Sequence, residues 1–445
     1  MLETNPGLSV SADIWTRCDL RIAPDARRTV LRKFEVDYPA AYSTGTGSRA
    51  RAIIARLLAL KPAQLDRSLK RLWLLVDHRH RDSEKVMLRR FDELAACVPP
   101  GATVDEARRL LIGAFFTEEY SFEAAALFNP SVVAHWDQSG LDEGALRFVM
   151  SLRGIGEGHI SSVSFRTGTW FADDRVAIDP PSRYAVSPTI EPLAEGEDAG
   201  ADPGQASLAL HFEEACDLSE AVLFPMAPSQ KQGIEDLRLV QFTEDDGTTR
   251  YLGTYTAFSG SAIREEVLAT TDFKHFTMRP LTGKVVDNKG MALFPRRIDG
   301  RYAMLGRQDN ENIWLMRSDD LLDWNEAEKI ITPRHPWEFM QMGNCGSPHE
   351  IDEGWLVITH GVGVLRNYTI GACLLDKRDP SKVLGRTHRP LLRPDAESRD
   401  GYVPNVVYSC GALLSGRRLL VPYGVADSFA HVAVTSVDKI LDHLE

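Results

Sequence analysis

The residues best suited to chemistry are two adjacent acids, Glu235 and Asp236, which stand just before Arg238. Short apolar runs typical of β-strands flank them at 221–224 and 239–242. Adjacent side chains of a strand point to opposite faces, so this pattern predicts that only one of the two acids faces a pocket. Arg238 returns to the face of Asp236 and would hold that carboxylate through a charged hydrogen bond. We expect Asp236 to be the working acid, with a solvated acidic turn as the alternative for so short a motif.

The composition of the chain limits the classes of partner. The 445 residues carry a formal net charge of −12, which disfavours nucleic acid and anionic membrane surfaces as partners. The six cysteines include no C-x-x-C pair, and the N-terminus lacks the pattern of a signal peptide. We therefore expect a cytoplasmic protein without a metal site, in which an anion site is built locally from a few converging cations.

Helical spacing marks the residues of roughly 48 to 127, where apolar positions recur every three or four residues. Pro62 stands where the first turn of a helix tolerates proline. The acidic stretch at 195–205 is interpreted as a surface insertion. The predicted helices contain the apolar positions 53–58, 65–76, 86–94 and 105–116.

From Phe128 onwards the pattern changes to short strand-like runs separated by turn residues. The segments 269–276 and 317–324 repeat one arrangement, in which a strand ends in Ser or Thr and Asp, a turn follows, and an aromatic residue restarts the chain. A repeat built of short strands is typical of a propeller blade, and the length beyond residue 125 fits five blades. Two unrelated β-turns are the alternative.

In a propeller the innermost strands line a central funnel, so site residues should come from one blade after another. The candidates in blade order are Asn129, Ser131 and Arg153, then Asp236, then Asn288, Lys289 and Arg307, then His360, and last Tyr408 and Asp427. Each cation also has a plainer interpretation. Arg307 would pair with Asp309 at the surface, and Lys289 would lie in a solvated turn. His360 would be a core histidine that makes its hydrogen bonds within the protein.

Beyond about residue 125 the chain resembles glycoside hydrolase family 130, the β-mannoside phosphorylases and β-1,2-mannosidases. The order and spacing of several motifs carry the resemblance, whereas the helical part before residue 120 is not part of the usual family core. The resemblance implies an all-β five-bladed β-propeller at 125–445. Together with the mainly α-helical region that apolar spacing predicts at 1–124, the fold class is α+β overall. The motifs are Phe128-Asn129-Pro130, the residues from Gly233 to Arg238, from Asn288 to Pro295, from Thr359 to Val362, from Val403 to Tyr408 and from Tyr423 to Asp427.

The family resemblance assigns roles to the candidates. Asp236 is implied as the sole general acid. Lys289, Arg307 and His360 are implied as the phosphate ligands, and a protonated His360 would strengthen them. Position 289 is a lysine where arginine is common among the phosphorylases of the family. Unlike arginine, lysine cannot make two parallel hydrogen bonds to one phosphate group. The implied substrate-binding residues are Asn129, Ser131, Arg153, Asn288, Tyr408 and Asp427.

Elementary chemistry supports a phosphorylase independently of the resemblance. Inverting hydrolysis needs two carboxylates about 6.5–9.5 Å apart, so that one of them activates a water. A phosphorylase replaces that water by inorganic phosphate, which is already a nucleophile, and needs only one acid and a cationic site. Together with the family resemblance, this leads us to expect α-mannose 1-phosphate from a β-mannosyl oligosaccharide, with inorganic phosphate as co-substrate and no other cofactor.

Several alternatives stay open at this point. A β-1,2-mannosidase would use Glu397 or Asp400 as its base, and a mannosyltransferase would place the phosphate of its donor in the same site. A non-catalytic glycan-binding propeller is the alternative outside enzymes. A homo-oligomer is one option for the assembly. Because every motif follows Phe128, we expect that residues 1 to about 120 can be removed without loss of the acid or of the phosphate site.

Overall fold

The computed structural model describes residues 14–34, 36, 49–76, 78–193, 207–213, 215–395 and 399–445. A group of helices near the N-terminus precedes a long series of strands, as the sequence predicts. The interpretation of 195–205 as a surface insertion lies outside the described residues. In the described ranges no helix combines the length and the apolar character needed to cross a membrane.

The helices occupy the positions that the apolar spacing predicts, and they pack on one another. Pro62 begins the second helix, and the Asp105 side chain caps the fourth by accepting from the Arg108 amide at 2.8 Å. Their apolar faces share a core that includes Ile54, Leu111 and Ile112. The helices are α1 Arg49–Leu58, α2 Pro62–Val76, α3 Ser83–Glu93 and α4 Glu106–Phe115, with α5 Val437–Leu441 near the C-terminus.

The remainder of the described chain consists mainly of short antiparallel strands. In chain order they are β1 Thr16–Arg17, β2 Val30–Lys33, β3 Thr117–Tyr120, β4 Ala126–Ala134, β5 Leu146–Ile155, β6 Ser161–Trp170, β7 Val176–Ile178, β8 Thr189–Pro192, β9 Leu208–His211, β10 Val222–Leu223, β11 Gly233–Thr243, β12 Thr249–Phe258, β13 Ile263–Thr270 and β14 His275–Pro280. They continue with β15 Ala292–Leu293, β16 Tyr302–Gly306, β17 Ile313–Ser318, β18 Glu326–Ile331, β19 Gln341–Asn344, β20 His349–Ile351, β21 Gly354–Val362, β22 Tyr368–Leu375, β23 Val383–Arg386, β24 Val407–Tyr408, β25 Leu413–Ser415, β26 Arg418–Val425 and β27 Phe429–Ser436.

Successive strands pair into antiparallel meanders. The meanders β4-β5-β6 and β11-β12-β13-β14 belong to one larger sheet, in which Gly233 of β11 meets Ser161 of β6. The other meanders are β15-β16-β17-β18, then β19-β21-β22-β23, and finally β24-β26-β27, which β1 extends. The N-terminal β2 pairs with β3.

The repeated segments at 269–276 and 317–324 have the same local structure. Each ends a strand and turns into the next strand of its meander. The Thr270 hydroxyl accepts from the Asp272 amide at 3.3 Å, and the Ser318 hydroxyl accepts from the equivalent Asp320 amide at 3.0 Å. The repeat is therefore a real structural unit, stabilised by a hydroxyl–amide turn in both copies.

The first strands of the meanders lie beside one another. The Leu239 amide of β11 donates to the Ser131 hydroxyl of β4 at 3.0 Å. The Cys410 amide, just after β24, donates to the Pro130 carbonyl at 2.9 Å. Ser131, predicted from the sequence to bind substrate, is fully buried in this contact between strands. Its hydroxyl serves the packing of β4 against β11.

The described residues before the helices pack into the β region, although the sequence-based division at 124 assigns them to the helical part. β1 pairs with β27, and the Trp15 indole donates to the Leu391 carbonyl at 2.9 Å. Arg28 forms a buried ion pair with Glu123 at 3.0 Å, and Arg166 contacts the same carboxylate at 3.0 Å. Deletion of residues 1 to about 120 would remove these contacts together with the helices.

We predict that Arg28→Ala destabilises the protein while Arg27→Ala leaves its stability unchanged. The Arg28 side chain is 2% exposed and that of Arg27 is 90% exposed, so only the first holds a buried carboxylate. Removing one partner of a buried ion pair costs about 3 kcal/mol. Urea unfolding of both variants measures the difference, and equal midpoints would contradict the role of Arg28.

Candidate active site

Glu235 and Asp236 both line one cavity, so the prediction that only one of them faces a pocket is wrong. The pairing of β11 with β12 shifts register between Glu235 and Arg238, and Asp236 has a left-handed φ of 53°. Such a β-bulge adds one residue to a strand and redirects the side chains beside it. The alternation of a regular strand therefore does not apply at this position.

Asn129 reaches the same cavity from a second bulge. The pairing of β4 with β5 shifts register between Phe128 and Ser131, and Asn129 has a φ of 47°. Asn and Asp tolerate this left-handed conformation better than most residues that have a side chain. The chemistry of both residue types thus suits the backbone that carries them.

We call this space the active cavity. Its volume is about 330 Å³. Of the residues predicted from the sequence, it brings together Asn129, Arg153, Asp236, Lys289, Arg307, Tyr408 and Asp427. The lining is completed by Phe128, Glu235, Asn310, Gln341, Arg366, Tyr368 and Val406.

Arg153 of β5 organises the acids of the active cavity. Its Nη1 donates to Asp236 Oδ1 at 3.0 Å, and its Nη2 donates to Glu235 Oε1 at 2.7 Å. The Ser161 hydroxyl accepts from its Nε at 2.9 Å. The guanidinium side chain is 11% exposed. The Asn129 amide donates to the same Asp236 oxygen.

Arg238 does not hold Asp236, in contrast to the sequence-based prediction. The Arg238 side chain is buried, and it donates to the Asn344 carbonyl at 2.7 Å and to the Tyr408 hydroxyl at 2.6 Å. It therefore secures Tyr408 and the start of the loop after β19. Its positive charge still acts on Asp236 through space.

Two carboxylates of the active cavity have pKa values shifted in opposite directions. Burial alone would raise the pKa of Asp236, but the fields of Arg153, Lys289 and Arg238 outweigh it and lower the pKa to about 2. Burial raises the pKa of Asp427 to about 6, although Arg153 opposes this rise. Such a separation between neighbouring acids is typical of sites that move protons.

Arg307 is a buried cation without a protein partner. It is 4% exposed, and its guanidinium makes no hydrogen bond or ion pair with any residue in the described ranges. The alternative pairing with Asp309 is excluded, since that carboxylate accepts from the Asn312 and Glu311 amides. Isolated buried charges are strongly unfavourable, so the position calls for an anionic ligand.

Gly343 of β19 provides the space for this arginine. A Cβ at Gly343 would come within 2.5 Å of Arg307 Cδ and within 2.5 Å of His360 Cε1. Any other residue at this position would push at least one of the two side chains away.

Lys289 enters the active cavity from a tight turn. Asn288 and Gly290 on either side have φ angles of 66° and 90°. The Gly290 amide donates to Glu265 Oε1 at 3.2 Å, and the Thr256 hydroxyl donates to the same oxygen at 2.7 Å. Burial raises the pKa of Glu265 to about 7. Asn288, predicted to bind substrate, does not line the cavity and instead shapes this turn.

His360 requires a correction. It is fully buried, does not line the active cavity, and lies against the ring of Tyr408 at 4.9 Å between centroids. Burial, followed by the charge of Arg307, lowers the pKa of His360 well below its usual value. Burial therefore disfavours the protonated imidazole that the sequence-based interpretation requires. Its Nε2 has no hydrogen-bond partner among the described residues, and a role towards phosphate stays a prediction.

Sequence reasoning missed several lining residues. The alternation of a regular strand places Glu235 on the face opposite Asp236, away from the pocket. A β-bulge, which Asp236 tolerates because Asp adopts a left-handed φ more readily than most residues, brings both to the same side. Arg366, Tyr368 and Asn310 belong to no recognisable motif, and only the tertiary structure brings them to the cavity.

We predict that inorganic phosphate raises the unfolding temperature of the protein and that Arg307→Gln removes most of this effect. A ligand that binds only the folded state stabilises it in proportion to the logarithm of its concentration over Kd. In phosphate-free buffer the variant should be at least as stable as the wild type, because a buried unpaired charge is gone. Thermal unfolding with and without phosphate measures both effects.

The matched control is Arg175→Gln, which changes an exposed arginine in the turn before β7. It should keep the full response to phosphate. An unchanged response in Arg307→Gln would contradict the anion site.

Comparisons with known proteins identify relatives of this chain in sequence and in structure. The family model described as β-1,4-mannooligosaccharide phosphorylase matches residues 211–445. The 1,2-β-oligomannan phosphorylase of Thermoanaerobacter sp. (strain X514) is 34% identical over 227 residues, which cover 50% of this chain and 75% of that protein. The β-1,4-mannooligosaccharide phosphorylase of Ruminococcus albus is 34% identical over 170 residues, 36% of this chain and 51% of that protein.

A solved structure shows the same fold. It comes from work on the GH130 family of mannoside phosphorylases, which contains glycoside hydrolases that target β-1,2 mannosidic linkages in Candida mannan. Its TM-score is 0.50 at 19% identity, over 72% of this chain and 87% of that one. The family model and the relatives in sequence show that this chain belongs to glycoside hydrolase family 130.

Proposed function

We propose that the protein catalyses the inverting phosphorolysis of a β-mannoside to α-mannose 1-phosphate. The observation that carries this proposal is the buried, unpaired Arg307, which lines the same cavity as Lys289 and Asp236. A phosphorylase needs one acid and a cationic place for phosphate, and this cavity has both. The names of the relatives, phosphorylases of β-1,2- and β-1,4-linked mannosides, support the same reaction.

Each group then has a defined part in the reaction. An oxygen of phosphate, held by Arg307 and Lys289, attacks the anomeric carbon from the face opposite the leaving group. The glycosidic C–O bond breaks, and Asp236 gives its proton to the leaving oxygen, directly or through a substrate hydroxyl. The attack from the opposite face converts the β linkage into an α phosphate.

Phosphate binding also prepares the acid. In the free cavity the surrounding cations keep the pKa of Asp236 at about 2, so that the carboxylate is ionised. The charge of a bound phosphate offsets the fields of Lys289 and Arg153, which raises this pKa again. We therefore propose that Asp236 becomes protonated when phosphate binds. The general acid is then ready to donate its proton only when the nucleophile is in place.

The remaining polar residues of the cavity form the sugar pocket in this proposal. Asn129, Arg153 and Tyr408 offer hydrogen bonds from one wall. Asp427, the pKa of which is about 6, either donates or accepts near neutral pH. We propose a β-mannosyl oligosaccharide as the substrate.

We further propose that the five meanders are the blades of a propeller around this cavity. Each first strand, or the loop next to it, supplies a lining residue. These residues are Asn129 at β4, Asp236 at β11, Lys289 before β15, Gln341 at β19 and Tyr408 at β24.

Hydrolysis by a β-mannosidase is the second candidate, and Asp427 favours it. It is a second carboxylate in the cavity and would serve as the base that activates water. Asp400, expected as this base, is exposed and does not line the cavity. Glu397 lies outside the described residues.

We predict that turnover of β-1,2- and β-1,4-mannobiose requires inorganic phosphate and yields mannose 1-phosphate. Arg307→Ala should raise the KM for phosphate by roughly one to two decades, because a charged hydrogen bond to a buried anion is lost. Lys289→Ala should have a milder effect, since an ammonium group makes no bidentate contact. If free mannose were released at the full rate in phosphate-free buffer, the reaction would be hydrolysis and the proposed phosphorolysis would be wrong.

We predict that Asp236→Asn lowers kcat by roughly 10²–10⁴-fold while the protein still folds, because the amide cannot act as an acid. Glu235→Gln is the matched control, since both carboxylates bind Arg153. Its effect on kcat should be much smaller. If Asp236→Asn stayed active and either Glu235→Gln or Asp427→Asn lost most of its kcat, that other carboxylate would be the general acid.

A further inference from the structure

A second cleft, of about 520 Å³, lies beside the active cavity. We call it the arginine cleft and define it by Trp337, Thr369, Arg389 and Arg393, which line it. Neither the proposed reaction nor the family motifs involve these four residues.

The two arginines are not neutralised by the protein. Within the described ranges neither Arg389 nor Arg393 forms an ion pair or hydrogen bond through its side chain. Asp395, close in sequence, pairs with Arg17 instead. Burial and the nearby Arg389 lower the pKa of Arg393, so the two positive charges lie close enough to repel each other. Arg389 is exposed and Arg393 is half-buried, so both guanidinium groups are accessible to an anion that enters the cleft.

Thr369 gives an independent indication of a ligand. It lines the arginine cleft and is 3% exposed. Its buried hydroxyl has no hydrogen-bond partner among the described residues. Buried hydroxyls are nearly always paired, so this group is suited to a polar atom of a bound molecule.

Trp337 provides a fixed aromatic surface in the cleft. A Cβ at Gly361 or at Gly371 would come within 2.4 Å or 2.6 Å of its ring, so both positions require glycine to seat it. Its indole donates to the His388 carbonyl at 3.2 Å. A flat aromatic ring held in this way is suited to the apolar face of a sugar ring.

The arginine cleft and the active cavity share a wall. The Tyr368 amide donates to the Asn405 carbonyl at 3.0 Å, which joins the two segments that form the wall. Asn367 and Asn405 line the arginine cleft, whereas the next residues, Tyr368 and Val406, line the active cavity. The two spaces are therefore neighbours, separated only by these two segments.

We propose that the arginine cleft binds a sugar residue that carries an anionic group, a phosphate or a carboxylate, as part of the glycan in the active cavity. Arg389 and Arg393 bind the anionic group, Thr369 a hydroxyl, and Trp337 the ring face. Binding in the cleft is independent of the reaction, and only the identity of the attached β-mannoside rests on the proposed function.

The test is calorimetric titration of the protein with mannose 6-phosphate, mannose and inorganic phosphate. We expect mannose 6-phosphate to bind the wild type more tightly than mannose does, and Arg393→Gln to weaken it roughly tenfold. In Arg307→Gln, in which the phosphate site of the active cavity is lost, mannose 6-phosphate should also bind more tightly than inorganic phosphate. Arg307→Gln, in the active cavity, should leave this binding unchanged. Arg67→Gln, an exposed arginine of α2, is the control for a general loss of charge.

Three results would overturn the inference. These are an unchanged affinity for mannose 6-phosphate in Arg393→Gln, a loss of that affinity in Arg307→Gln instead, or equal affinities for mannose 6-phosphate and inorganic phosphate in Arg307→Gln. Turnover of neutral mannobiose should be the same in Arg393→Gln and in the wild type. A wild type that binds mannose 6-phosphate but makes no mannose 1-phosphate would refute the proposed reaction alone.

Discussion

The active cavity depends on the contact of one buried arginine with two acids from another meander. Arg153 of β5 binds both Glu235 and Asp236 of β11. Moving these three charges out of water costs several kcal/mol per ion, and only good geometry with further hydrogen bonds compensates for it. Ser161 and Asn129 supply those hydrogen bonds. The contact thus joins two meanders and fixes the position of the acid.

The backbone that presents these groups is not regular. Asn129, Asp236, Arg366 and Asp427 all have a left-handed φ, and all line the active cavity. A left-handed residue with a side chain costs roughly 1–2 kcal/mol, less for Asn and Asp, and such strain collects at functional sites. Bulges and left-handed turns let short strands direct neighbouring side chains into one space, which ideal strands cannot do.

Two adjoining spaces of this acidic chain contain cations that have no carboxylate partner among the described residues. Arg307 and Lys289 lie near Asp236 in one of them, and Arg389 and Arg393 lie in the other. Many other arginines of the described chain, such as Arg28 and Arg417, have carboxylate partners. In our proposals these unpaired charges bind the anionic parts of the ligands.

The sequence alone was sufficient for the helices, the strand-rich remainder, the repeated turn and most of the charged residues of the site. These follow from apolar spacing and from motifs that are local in the chain, because each depends on residues within a few positions of one another. Tertiary structure decided what depends on distant contacts. Arg238 was expected on Asp236 but binds Tyr408. His360 was expected to act in its charged form, which its burial disfavours, and Ser131 supports a strand. Arg366 and Glu235 entered the site only through backbone irregularities. Burial and the neighbours across the meanders set the charge and direction of each side chain, and local patterns contain neither.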